Sequence, residues 1–250
     1  MAEPDASGKI PGLISLFISV LAFLRPNIEA AYKRYFKKTS VNVICLNQAE
    51  IGFNTTGSYI ICALTFIAKD GDAIVLNATC EVTNLKSNQK ISQSSFMFIS
   101  NEFPAGPALY AKPIVVANGS TITNQIQFSN WDNLQRIKTL VGKFGHGLTA
   151  PTTKLEPDQL EAFLMSAHQA ESFKTVNEID HLRFWEPGEY QMKVHIECQG
   201  ECISNTPMFT FEVNSDFVED LKQNKFGIIS SSLGVAAFFR SDTVSMTPVA

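Results

Sequence analysis

His195, Cys198 and Cys202 are the residues of this chain whose types most readily suggest a metal. Imidazole and thiolate suit zinc, but a structural zinc site takes four such ligands, and no further Cys/His pair stands near these three. On a strand, positions 195 and 198 face opposite sides, so only a bulge brings them together. Two other readings of the cysteines stay open: a core Cys198 beside a loop Cys202, or a reversible disulfide across the Gln199-Gly200-Glu201 turn. A second constellation is Lys143-Phe144-Gly145-His146-Gly147, a histidine between glycines in a long loop, where sites are often built. No paired carboxylate or nucleophile accompanies it in sequence. His168 and His181 stand alone, and Glu186 and Glu189 flank a Pro-Gly turn where charges are ordinarily solvated. The phosphate-loop, G-x-S-x-G, H-E-x-x-H and EF-hand patterns are absent. The expectation is a protein that is not an enzyme, with no catalytic, cofactor-binding or metal-binding residues.

The chemistry that does stand out is that of a membrane surface. Residues 10–24, IPGLISLFISVLAFL, carry no charge. As a helix they span about 22 Å, against roughly 30 Å of hydrocarbon. Behind them come Arg25, Tyr32, Lys33, Arg34, Tyr35, Lys37 and Lys38. Aromatic rings and long cations anchor a helix at headgroup level, and each cation near anionic lipid contributes about 1 kcal/mol. The expected arrangement is a single membrane span or deep anchor followed by a basic stalk. Because the basic residues lie after the run, the positive-inside rule leaves the bulk of the chain on the cytoplasmic side. The competing readings are a buried core helix, an interfacial helix and a cleaved signal peptide. A weaker apolar run, residues 226–239, reads as a strand or packed tail, or else as a second span.

From residue 40 the hydrophobic period changes from helical to two. Val41, Val43 and Cys45 share one face, and residues 58–68 form a nearly continuous apolar run, as in a strand buried on both sides. Asp70-Gly71 signals a hairpin into AIVLNATCEVT. Further strands are expected at 95–100, 112–117 and 121–128, with an Asn118-Gly119 turn between the last two, and then at EYQMKVHIEC and MFTFEV. Between these groups lies a helical insertion, at about 129–181. Its first helix has a Ser129 or Asn130 cap, a Trp131/Leu134/Ile137/Val141 stripe and Gly142 as stop. Its second starts at Pro157 and stripes Leu160, Phe163, Leu164 and Ala167. About seven or eight antiparallel strands with short turns argue for two packed sheets. Scattered cysteines, five in all, are not a disulfide framework, and Cys45, Cys62 and Cys80 fall among core positions.

Residues 186–198, EPGEYQMKVHIEC, resemble the turn and strand that carry the tyrosine corner of immunoglobulin-like domains. By that resemblance Tyr190 is a structural corner tyrosine. Met192 stands where the immunoglobulin cysteine would be, so no inter-sheet disulfide is implied. The whole layout is similar to bacterial proteins of uncharacterised role with a short N-terminal membrane helix, a basic stalk and one immunoglobulin-like β-sandwich. The expected fold is therefore mainly β: an antiparallel immunoglobulin-like β-sandwich with a helical insertion, preceded by an N-terminal apolar helix. Its parts are a tail over 1–9, anchor and stalk over 10–38, the sandwich over 39–215, and a C-terminal helix or apolar tail over 216–250.

Composition agrees with a folded domain. Of 250 residues, 45% are hydrophobic and 18% charged, which excludes a disordered chain. A net charge of −4 argues against a nucleic-acid partner held by phosphate contacts. The mean hydropathy of +0.03 suits a soluble domain with a short membrane-type segment. The functional expectation is a membrane-tethered, non-catalytic binding domain whose partners are the lipid bilayer and a protein. The alternative is a soluble structural protein that assembles through its apolar ends. A third reading, an enzyme sited in the 129–181 insertion, would need a pocket lined by His146 and His168.

Overall fold

The two-residue period that begins at Thr39 opens a large sheet. The computed structural model describes residues 23–26, 38–99, 109–110, 112–145, 159, 162, 169–200, 202–232 and 239–249. Twelve strands form one hydrogen-bonded ladder: β1 (Thr39–Asn54), β2 (Gly57–Lys69), β3 (Ala73–Asn84), β4 (Lys90–Ile99), β5 (Leu109–Tyr110), β6 (Ile114–Val116), β7 (Thr121–Ser129), β8 (Gly188–Cys198), β9 (Cys202–Ser204), β10 (Met208–Val213), β11 (Ser241–Ser245) and β12 (Thr247–Pro248). Helix α1 (Trp131–Gly145) follows β7, α2 (Gln169–Asp180) precedes β8, and α3 (Ser215–Ser232) follows β10.

The main ladder runs β11-β1-β2-β7-β4-β3-β8-β10-β12. Its two ends are halves of one segment: β11 pairs antiparallel with β1, and β12 pairs antiparallel with β10. Only Met246 separates them. The sheet therefore returns on itself, and residues 241–248 are the seam. At the other junction, β4 uses Lys90–Ser94 to pair with β3 and Ser94–Ile99 to pair with β7. A strand that changes partner half-way along turns a sheet through a corner.

This connectivity corrects the hairpin expectation at Asp70-Gly71 and keeps the expected turn at Asn118-Gly119. Asp70-Gly71 does form a turn, with Asp70 at φ 69°. Yet β2 and β3 are not ladder neighbours, so the turn carries the chain across the molecule. Asn118-Gly119 does the same between β6, which pairs with β3, and β7, which pairs with β2. The two crossings are tied together: Asn118 N donates to Asp72 Oδ1 at 2.8 Å, and Gly119 N donates to Ala68 O at 2.9 Å. Hairpins form instead between β3 and β4 and between β1 and β2, where Asn54 Oδ1 accepts from the amide and hydroxyl of Thr56.

The core follows the alternation. Val41, Val43, Cys45, Ile51 and Phe53 of β1 are buried, as are Ile60, Cys62, Leu64 and Phe66 of β2. Residues 57–62 are buried on both faces and the rest of β2 alternates, because the helices cover only one end. Gly52 lies opposite Tyr59, and a Cβ there would meet the tyrosine ring at 2.4–2.7 Å, so the position needs glycine.

Helix α1 is capped by Asn130, whose Oδ1 accepts from Asn133 N at 3.1 Å. Leu134, Ile137 and Val141 face inward as the stripe requires, but Trp131 is 55% exposed and Gly142 lies within the helix instead of ending it. The second insertion helix continues to Asp180; its expected stripe, Leu160, Phe163, Leu164 and Ala167, lies outside the described residues. The apolar run from 226 is neither strand nor span through Ser232. It is the second half of α3, with Phe226, Ile228, Ile229 and Ser230 all buried. A helix apolar on every side is a core helix, and α3 packs against β1 and the other two helices. Asn224 fastens it, with Nδ2 donating to Phe53 O and Arg240 O, each at 2.8 Å, and Oδ1 accepting from Arg240 N at 2.9 Å.

Of the expected anchor, residues 10–22 lie outside the described residues; Phe23–Pro26 are helical and exposed. Among the described residues no helix is long and apolar enough to cross a membrane.

Candidate functional site

A turn, a helix start and an aromatic strut converge at the helix-covered end of the sheet. The turn is NLKSNQK between β3 and β4. Buried Asn84 shapes it: its Oδ1 accepts from Lys86 N at 2.9 Å and Ser87 N at 3.0 Å, and its backbone pairs with Gln89 and Asn88. Asn88 takes the left-handed conformation, φ 55°, which a short polar side chain tolerates. This folding leaves Lys86 and Lys90 pointing outward and exposed.

The helix start is that of α1. Asn130 bridges it to the sheet by donating from Nδ2 to Ser92 O at 3.3 Å. One turn along, Arg136 is exposed.

The strut is residues 180–190. Trp185 is fully buried and donates from Nε1 to Gly52 O at 2.9 Å. It packs edge-on against Phe184, Tyr190 and Phe211. Tyr190 reaches back four residues: its hydroxyl donates to Glu186 O and accepts from Glu186 N, both at 2.8 Å. Arg183, with a side chain only 5% exposed, holds the segment from outside. Its Nε meets Asp180 Oδ1 at 3.1 Å, and its Nη1 meets Glu186 Oε1 at 3.5 Å and donates to Trp185 O.

Together these parts enclose a polar groove of about 1100 Å³. Four cations line it, Lys86, Lys90, Arg136 and Arg183, against two carboxylates, Asp180 and Glu186. Arg183 already engages both acids, and Lys90 meets Glu81 at 3.4 Å. Lys86 and Arg136 make no ion pair among the described residues. The amides of Asn130 and Asn133 and the exposed His181 complete the rim. In a chain of net charge −4, this is a local concentration of donors and positive charge, fit to receive carboxylate or other anionic groups. A smaller hollow of about 440 Å³ between α1 and α2 shares Arg136 and His181.

The sequence-derived residues fall elsewhere. Arg25 is exposed in the short helical stretch, and Lys38 is exposed immediately before β1. Tyr32, Lys33, Arg34, Tyr35 and Lys37 lie outside the described residues, as do His146 and His168. His195 is exposed and its ladder partner is Thr79, whereas Cys198 is half-buried opposite Val75. The ladder's bulge lies on β3 between Val75 and Asn77, not on β8. Among the described residues no group of three His, Cys, Asp or Glu is placed to hold a metal ion. Sequence reading missed the groove's lysines and the Trp185 strut. The available signal was two lysines inside one seven-residue turn between strong strands.

Comparison of the chain with protein-family models, curated proteins and solved structures found no match.

Proposed function

We propose that this chain is a non-catalytic binding domain, held at a membrane by residues 10–24 as a single span, with its bulk on the cytoplasmic side. One observation carries the reading: the root of the N-terminal segment and the groove lie at opposite ends of the sheet. Thr39 starts β1 at the end where Lys69 closes β2, and the groove lies by the end where Asn54 meets Gly57, next to which stands its lining residue Asn133. The thirteen residues of β2 separate them by about 40 Å. A tether at one end and an open, charged concavity at the other is the geometry of a domain displayed to a partner. The basic residues around 33–38 lie on the tether side, where anionic lipid would meet them.

The partner in this reading is a protein whose acidic side chains meet Lys86 and Arg136. No cofactor and no nucleic acid enter it. The flattened, immunoglobulin-like sandwich and the bacterial tethered-domain layout belong to the same proposal, supported by the corner at β4 and by the reach-back bonds of Tyr190. Fractionation of the tagged full chain tests it. The protein is expected to stay with membranes through a carbonate wash, and its half-exposed cysteines to react with a membrane-impermeant thiol reagent only after the cytoplasmic side is opened. Release into the soluble fraction as one particle of defined size would overturn the tether and favour assembly through the apolar ends.

A further inference from the structure

The end of the sheet opposite the groove carries a second chemical group. Cys198 closes β8 and Cys202 opens β9, with Gln199, Gly200 and Glu201 between them. Gly200 takes φ 78°, a conformation that glycine adopts without steric cost. Both thiols are free and half-buried. They lie within hydrogen-bonding reach of each other; burial first, and then that contact, push the Cys198 thiol up to about 12. The other three cysteines are fully enclosed in the core.

The two flanks of this turn belong to different parts of the ladder. Cys198 stands opposite Val75 of β3, and Gln199 N donates to Ile74 O at 2.8 Å. Cys202 stands opposite Thr39, and β9 runs parallel to the start of β1 through Ser40–Ile203 and Val41–Ser204. Just beyond, Asn205 donates from Nδ2 to Val43 O at 2.8 Å and accepts from Val43 N at 2.6 Å. Residues 202–205 therefore clamp the first residues of β1, where the N-terminal segment enters the domain.

From this placement we infer that Cys198 and Cys202 form a reversible disulfide that sets the tightness of the clamp on the root of β1. The co-reactant is a low-molecular-weight disulfide such as oxidised glutathione. With the Cys198 thiol held protonated by burial, Cys202 attacks as thiolate on one sulfur of that disulfide, and one small thiol leaves with a proton. Cys198 then loses its proton to solvent and attacks the Cys202 sulfur, and the second small thiol leaves. Two electrons pass from the protein to the external disulfide, one S–S bond is exchanged for another, and two small thiols are released. An excess of the reduced thiol reverses the reaction. The inference does not depend on the membrane reading, because it concerns the domain's own turn.

The experiment uses the full chain in graded mixtures of reduced and oxidised glutathione. The reaction is quenched in acid, the thiols are alkylated, and peptides are mapped without reduction. Loss of two of the five thiols to a single Cys198–Cys202 bond is expected, with Cys45, Cys62 and Cys80 alkylated only after unfolding. Cys198→Ser is expected to stall as a glutathione adduct on Cys202, and Cys202→Ser to leave Cys198 unreacted. Amide exchange over Val41–Val43 should slow on oxidation. A lasting adduct on wild-type Cys202, no reaction at all, or a bond to another cysteine would overturn the disulfide. Unchanged exchange at Val41–Val43 would overturn the clamp.

Discussion

The groups whose pKa burial shifts most in this domain are thiols and phenols, neutral when protonated. Cys62 is raised by its contact with the Cys45 thiol and by burial, Cys80 by burial, and Tyr59 by burial and the nearby Glu50 charge. Tyr190 is raised chiefly by burial, although its bond to Glu186 opposes the shift. Each of these pKa values is higher in the folded chain than in the unfolded one. As pH rises, the unfolded chain therefore releases protons first. The stabilisation is fully present below the ordinary thiol value of about 8.5, and is lost as pH climbs through it and past the ordinary tyrosine value of about 10. Urea unfolding is expected to show a midpoint that falls steadily between about pH 8 and pH 10. A flat midpoint across that range would mean that these side chains are not shielded as described. Cysteine labelling of the folded chain would follow burial, with the half-buried Cys202 reacting before the enclosed Cys62 or Cys80.

Elements show where sequence pattern was a good guide and where it was not. Period and capping follow from local chemistry, so the long strands and the start of α1, at Ser129 or Asn130, were legible, whereas the short β9, β11 and β12 were not. Partnership was not. Asp70-Gly71 has the local chemistry of a hairpin, yet its flanking strands pair with others, because nothing in a turn says whether the chain will fold back or cross over. The run at 226–232 misled for a related reason. Its Ile and Phe residues fit a strand, and only the continuous burial of α3 explains why they sit on a helix. The groove was illegible because its cations come from three separated segments, and no spacing links Lys86, Arg136 and Arg183. Asn224 makes a sharp test at this scale. Asn224→Ala would leave Phe53 O, Arg240 O and Arg240 N without their side-chain partner. The expected cost is about 3 kcal/mol, read as a lowered urea midpoint with little change in slope. A loss near zero would show that α3 is held by apolar contact alone.

At the scale of the molecule, ring closure decides behaviour. The nine main-ladder positions form a circuit in which residues 241–248 occupy both the first and the last place. Removing those residues uncovers the β1 edge along Gln48–Gly52 and the β10 edge at Phe209–Thr210. Open edges of this kind pair with other chains. A chain ending at residue 240 is expected to keep most of its strand signal and to self-associate, seen as a shift to larger species in light scattering. A monomeric truncated chain would show that the seam is dispensable.

The seam also sets an order of events during synthesis. Residues 241–248 leave the ribosome after every strand they join, so the circuit cannot close while the nascent chain is still short of them. A chain whose last residues are still inside the ribosome would hold a sheet with an uncovered β1 edge, and an uncovered β10 edge as soon as that strand has emerged. For that interval, attachment of a folding helper to either edge would compete with closure. The speed of translation through the stretch from Ser215 to Met246 thus becomes a determinant of yield, one that substitutions in the finished domain would never reveal.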